Sequence, residues 1–130
     1  MKIVDRLTIM TSSVTKMECP NLEHLEGKYG QQTVRITRLH RDAAREDIQP
    51  LLKQGFILSN LQHPNIISFI FVGRIDDRMH LITESSDYGT LSECLRCNLL
   101  SSSCQLVDTA LQICAGMTYL HDRSIIHGNL

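Results

Sequence analysis

Polar and apolar residues alternate most cleanly in Thr33-Val34-Arg35-Ile36-Thr37-Arg38-Leu39, a period of two that predicts a strand with one buried face. Upstream, a looser alternation through Ile3, Leu7, Ile9 and Val14 predicts a first strand within residues 3–17, and Leu22 to Leu25 a second. Gly27-Lys28-Tyr29-Gly30 is a hairpin-like turn. After a charged connection from His40 to Asp47, Leu51, Leu52, Ile57, Leu58 and Leu61 predict a helix starting about Pro50, a residue tolerated in a first turn. His63-Pro64-Asn65 stops that helix. The apolar run from Ile66 to Val72 and the stretch from Met79 to Thr83 then predict two strands joined at Asp76-Asp77. Asp87-Tyr88-Gly89 is another turn, Leu91 to Cys97 a short helix, and Ser101 to Ser103 a serine-rich loop. Leu106, Ala110, Ile113, Met117 and Leu120 recur at spacings of three and four, so a long helix with one apolar face is expected from Gln105 to Leu120. Ile125-Ile126 is a short β-branched run. Strands, one helix, two strands and then helices give an α+β layout with segregated parts.

Composition narrows this only slightly. With 42% apolar residues in 130, there is material for one packed domain of modest size. A net charge of −1 supplies no electrostatic reason to expect nucleic acid or an anionic membrane as partner. No apolar run approaches the ~18 residues of a membrane span, and Lys2, Asp5 and Arg6 break the pattern of a signal peptide. A cytoplasmic location is expected, unless the chain belongs to a membrane-anchored parent. The five cysteines, Cys19, Cys94, Cys97, Cys104 and Cys114, are odd in number and irregular in spacing, which argues against a disulfide framework. Cys94-x-x-Cys97 lacks a second pair; even with Cys104 and His121 as extra ligands, thiols in and around a helix are the better reading, and no metal is expected.

The terminal stretch QLVDTALQICAGMTYLHDRSIIHGNL, from Gln105 to Leu130, resembles protein kinases, the tyrosine-kinase branch in particular. Leu61-Gln62-His63-Pro64-Asn65-Ile66-Ile67 is similar to that family's "LxHPNIV" junction between the regulatory helix and the fourth strand. His80-Leu81-Ile82-Thr83-Glu84 resembles the fifth strand, the gatekeeper threonine and the start of the hinge, and Tyr88-Gly89-Thr90-Leu91 resembles the opening of the next helix. The resemblance implies a kinase-like small lobe, a five-stranded antiparallel sheet plus one regulatory helix, over residues 1–86. The opening of a large lobe follows over 87–130. It also implies that the catalytic-loop asparagine, the magnesium-binding Asp-Phe-Gly and the activation loop would follow Leu130.

At the positions that carry chemistry in the family, this sequence departs from the pattern. The Gly-rich loop maps near Lys16, Glu18 and Asn21, where a carboxylate would repel phosphate. Val-Ala-Ile-Lys reads here as Val34-Arg35-Ile36-Thr37, so Thr37 stands where the phosphate-gripping lysine is expected. Strand period puts Arg35 and Thr37 on one face and Arg38 on the other. Arg35 replaces the small residue that roofs the adenine; a surface arginine with its stem along apolar neighbours is the alternative reading. The regulatory-helix glutamate falls at Gln54, which with Thr37 could keep a hydrogen bond but no ion pair. The catalytic aspartate falls at Asn129, an amide without useful basicity, and Gly128 replaces the arginine before it.

Leu58, Phe69 and His127 suit the family's regulatory spine, with His127 as a core histidine. The adenine-completed spine would need apolar residues near Glu23 and at Arg35. What remains is a vestigial nucleotide pocket of Arg35, Thr37, Thr83, Glu84 and Ser86, with no catalytic residue among the degenerate Thr37, Gln54 and Asn129. The resemblance thus implies a catalytically inactive, pseudokinase-type fragment that works through protein contact, with the helix over 105–120 as its contact surface and without ATP or magnesium. Two alternatives are the N-terminal piece of a kinase that binds ATP and magnesium and phosphorylates protein when full length, and a truncated product without stable function.

Overall fold

A computed structural model describes residues 7–11, 22–40, 48–85 and 88–126, the first of these as backbone only. The elements are β1 (Leu7–Thr11), β2 (Leu22–Tyr29), β3 (Gln32–Leu39), α1 (Ile48–Ser59), β4 (Phe69–Ile75), β5 (Arg78–Glu84), α2 (Leu91–Arg96) and α3 (Ser103–Asp122). The strands form one five-stranded antiparallel sheet in the order β1-β2-β3-β5-β4. This is the α+β arrangement expected. By compactness the chain divides into two units: one runs to Leu61 and takes in Ser68–Ser85, the other comprises Gln62–Ile67 and the chain after Ser85.

Turn chemistry moves several strand ends. Gly27 lies inside β2, paired with Ile9 and Val34, and the turn falls at Gly30-Gln31, where Gly30 takes φ +63°. Asp76 and Asp77 both adopt positive φ, 51° and 63°, the signature of a two-residue hairpin turn whose twist matches the flanking strands. That turn pairs Ile75 with Arg78 and so fixes the hairpin register. β4 therefore runs Phe69–Ile75 rather than Ile66 to Val72. Ile66 instead closes a turn, its amide donating to the His63 carbonyl.

Each side of the sheet has its own core. Val34 and Ile36 of β3 pack with Leu25, Ile75 and Ile82. On the other side Leu39, Met79 and Leu81 pack with Leu51 of α1, joined by Leu58, Phe69 and Val72. Leu58 and Phe69, two of the residues expected to stack as a spine, thus share one cluster; His127 lies outside the described residues. α1 approaches closely at Gly55, where a Cβ would sit 2.7 Å from Val72 Cβ and Cγ2.

In the second unit both helices begin with capping boxes. Thr90 and Glu93 cap α2, and Ser102 and Gln105 cap α3, so α3 starts two residues before the expected Gln105. Gly116 of α3 sits over the Asn65 carbonyl, and Tyr119 Oη accepts from the Gln62 amide at 2.9 Å while its ring meets His63. The inward side of α3 is formed by Gly116 and Leu120, with Ile113 and Met117 half-buried. Leu106 and Ala110, expected on that face, are exposed. Ile125 forms no strand: its amide donates to the Leu120 carbonyl and closes the helix end. No helix among the described residues is long and apolar enough to cross a membrane.

Candidate functional site

Strand alternation decides what shares a face with what. Arg35 pairs with Glu26 on β2 and with Thr83 on β5, while Thr37 pairs with His24 and Leu81. Directly opposed residues lie on the same side of a sheet, so His24, Glu26, Arg35, Thr37 and Thr83 form the polar continuation of the face whose apolar part lies against α1. Thr37 and Thr83 are buried, at 9% and 7% exposure, and Arg35 is half-buried.

Arg35 does not extend freely over this face. Its Nε donates to His24 Nδ1 at 3.1 Å and its Nη2 lies 2.9 Å from the same nitrogen. Thr37 Oγ1 is 3.3 Å from that nitrogen too. Because Nδ1 receives these donors, the imidazole is neutral and carries its hydrogen on Nε2. Nε2 is buried and has no hydrogen-bond partner among the described residues. Burial first, and the Arg35 charge second, push the His24 pKa down to about 4. No carboxylate pairs with Arg35 among the described residues, and Glu26 opposite it is exposed. The arginine is thus neither a free surface side chain nor half of an ion pair.

Two expectations are corrected here. On β2 the face of Arg35 carries His24, with Glu26 directly opposite the arginine; Glu23 points to the opposite side. There Glu23 Oε2 accepts from Arg38 Nε at 2.8 Å and lies 3.5 Å from Arg78 Nη1, while Oε1 is 3.6 Å from His40 Nε2. The Arg38 hydrogen bond holds the Glu23 carboxyl below its ordinary range. The second correction concerns Gln54. A hydrogen bond between Gln54 and Thr37 is not made: Gln54 is exposed on α1, and the Thr37 hydroxyl is directed to His24. The reason is helix rotation. Leu51, Gly55 and Leu58 are spaced to face the sheet, and a residue between them falls on the flank.

Among the other sequence-derived positions, Glu84 closes the end of the sheet, its amide donating to the Ser68 carbonyl at 2.9 Å and its carboxylate accepting from the Ser68 amide at 2.8 Å. Ser86, Asn129, Gly128 and the loop positions Lys16, Glu18 and Asn21 lie outside the described residues. No three His, Cys, Asp or Glu side chains are grouped to hold a metal among the described residues. His24 was not among the sequence candidates. Its signal was available: it stands at the same alternation parity as Leu22 on β2, once the two-residue turn at Gly30-Gln31 fixes the register.

The chain matches the family described as protein tyrosine and serine/threonine kinase over residues 11–130. It is 36% identical over 86 residues to the tyrosine-protein kinase FRK of Homo sapiens, covering 65% of this chain and 17% of that protein. It is 33% identical over 105 residues to the mitogen-activated protein kinase kinase kinase 1a of Physcomitrium patens, 81% of this chain and 12% of that one. A Drosophila melanogaster protein, activated Cdc42 kinase-like, is 34% identical over 101 residues, 75% of this chain and 8% of its own length. The match spans less than a fifth of each of these relatives. The chain belongs to the protein tyrosine and serine/threonine kinase family, and its fold is that of the small lobe followed by the first helices of the large lobe.

Proposed function

We propose that this chain is a non-catalytic, pseudokinase-type member of the kinase family that acts through protein–protein contact. One observation carries the reading: the Arg35 guanidinium is docked on His24 across the face that would receive a nucleotide. A kinase uses that face to grip phosphates with a lysine and to admit a flat base beneath a small residue. Here the gripping position is the uncharged Thr37, turned to His24, and the small position is a long cation held over the sheet. Gln54, at the position of the ion-pair glutamate, lies on the exposed flank of α1, and the Thr37 hydroxyl is directed to His24 instead. Asn129, at the position of the catalytic base, supports the same reading from sequence. Contact with a protein partner is assigned to α3, whose outer side exposes Leu106, Val107 and Leu111.

Titration calorimetry of the purified chain with Mg-ATP tests this. No heat of binding is expected at micromolar to millimolar nucleotide; saturable micromolar binding would defeat the proposal. A second reading is kept because the relatives are several times longer than the matched region. In it the chain is the N-terminal piece of a kinase that binds ATP and magnesium when full length. Micromolar Mg-ATP binding would favour it.

A further inference from the structure

The fold places the motif Cys94-x-x-Cys97 within one helical turn. Cys94 lies in α2 and Cys97 is its C-cap, with Leu95 and Arg96 between them both helical. Helical geometry sets Cα atoms three residues apart at about 5 Å, inside the disulfide range of about 4.4–6.8 Å. Both side chains fall on the same side of the helix, with Cβ atoms about 5–6 Å apart. Closing a disulfide requires those Cβ atoms to approach to about 3.5–4.5 Å. The end of α2 is free to give that much. The helix has six residues and none is buried, so no core packing holds its last turn in place. The cost falls on bonds at the cap: the Cys97 amide donating to the Glu93 carbonyl and the Leu99 amide to the Cys94 carbonyl, both at 3.0 Å.

We propose that Cys94 and Cys97 close a reversible disulfide, a redox modification site at the end of α2, with a small disulfide of the glutathione class as oxidant. Exposure sets the order of the steps. Cys97 is exposed, whereas Cys94 is half-buried and its Sγ donates to the Tyr88 carbonyl at 3.5 Å. The Cys97 thiolate attacks one sulfur of glutathione disulfide and breaks its S–S bond. One glutathione thiolate leaves and takes a proton. Cys94 then turns from the Tyr88 carbonyl, gives its proton to solvent and attacks the Cys97 sulfur, releasing the second glutathione. Two electrons and two protons thus pass from the protein thiols to glutathione disulfide. Because closure draws the Cβ atoms together, the bond is strained and reopens with reduced glutathione, the behaviour of labile, regulatory disulfides. Cys104 and Cys114 are exposed too, but they stand about 15 Å apart along α3 and cannot bridge to each other. The inference uses α2 alone and does not depend on whether the chain is catalytic.

The test equilibrates the full 130-residue chain with mixtures of reduced and oxidised glutathione, quenches with acid and maps the thiols by peptide mass. Cleavage after Arg96 and after Leu100 puts Cys94 and Cys97 on separate peptides that stay joined through the disulfide alone. A joined pair, lighter by two hydrogens than its separate peptides, is expected from protein running as monomer on a non-reducing gel. About a hundredfold excess of reduced glutathione should separate it. Cys94→Ser should trap the glutathione adduct on Cys97, whereas Cys97→Ser should leave Cys94 largely unreacted over the same time. Hydrogen exchange at the Cys97 and Leu99 amides should quicken in the oxidised chain, with α3 unchanged. Each of these would overturn the proposal: a chain that keeps Cys94 and Cys97 reduced at every ratio, a stable adduct on Cys97 of the unaltered chain without the bridge, a bridge from Cys97 to any other cysteine, equal trapping in the two serine variants, or a bridge that excess reduced glutathione leaves closed.

Discussion

Arg35 and His24 are joined on the diagonal of the β2–β3 ladder: Arg35 stands two residues from Thr37, the direct partner of His24, and reaches along β2 to bring Nη2 within 2.9 Å of Nδ1. Diagonal neighbours lie about 7–8 Å apart across a ladder, within reach of a long side chain. A cation bonded to a neutral imidazole ties β2 to β3 on this face, and it fixes what substitutions there should do.

Reopening the face by one change should not restore nucleotide binding. Arg35→Ala removes the docked guanidinium but leaves Thr37 without charge. Loop glycines, lysine and small roof residue at about 1.4 kcal/mol each amount to roughly a thousandfold in affinity if additive. Mg-ATP titration of Arg35→Ala should stay blank, with Arg35→Ala/Thr37→Lys gaining at most weak binding. Micromolar binding by the single variant would contradict the role given to Thr37.

Asn129→Asp should leave phosphoryl transfer at background. Base and phosphate grip act together in this chemistry, and with the uncharged Thr37 at the gripping position a repaired base contributes little. The check is radiolabel transfer from ATP to a generic tyrosine or serine substrate. Signal above that of the unaltered chain would refute the expectation.

Stability should fall with pH below neutrality. His24 has its pKa lowered to about 4 by burial and the Arg35 charge, against an ordinary value of 6.5. Between those values the unfolded chain binds the proton and the folded chain does not, so acid favours unfolding. His80, lowered chiefly by burial, acts in the same sense, and Glu23, lowered chiefly by its Arg38 hydrogen bond, adds to the loss below its ordinary 4.5. Urea midpoints should drop from pH 7 to pH 4.5. His24→Asn keeps an acceptor for Arg35 without the titration, and should drop by less. An equal drop would take His24 out of the account.

Gly55→Ala should destabilise the first unit. The helix gains up to about 1 kcal/mol of propensity, but the new methyl would meet Val72 Cβ and Cγ2 at 2.7 Å. Overpacking of this kind costs about 1–3 kcal/mol. Adding Val72→Ala should recover part of the loss by making room. Denaturant midpoints for the two single variants and the double read this directly; a Gly55→Ala midpoint above that of the parent would show that α1 shifts freely over β4.

The sequence by itself determined the elements whose signal is local. Alternation in Val34 to Leu39 placed Arg35 and Thr37 on one face and Arg38 on the other, and the three-four spacing after Gln105 made a long helix. These follow from the fixed periods of strand and helix, which any stretch of chain carries within itself. The tertiary structure decided whatever depends on a second element. That His24 rather than Glu23 lies beside Arg35 is a matter of register, set by the two-residue turn at Gly30-Gln31. That Gln54 stays exposed follows from how α1 is rotated by Gly55 seating on Val72, and that Leu111 is exposed while Leu120 is buried depends on which side of α3 meets the turn at Asn65. Register and rotation are set by packing between distant residues, and a one-residue or quarter-turn difference exchanges the faces while leaving every local period intact.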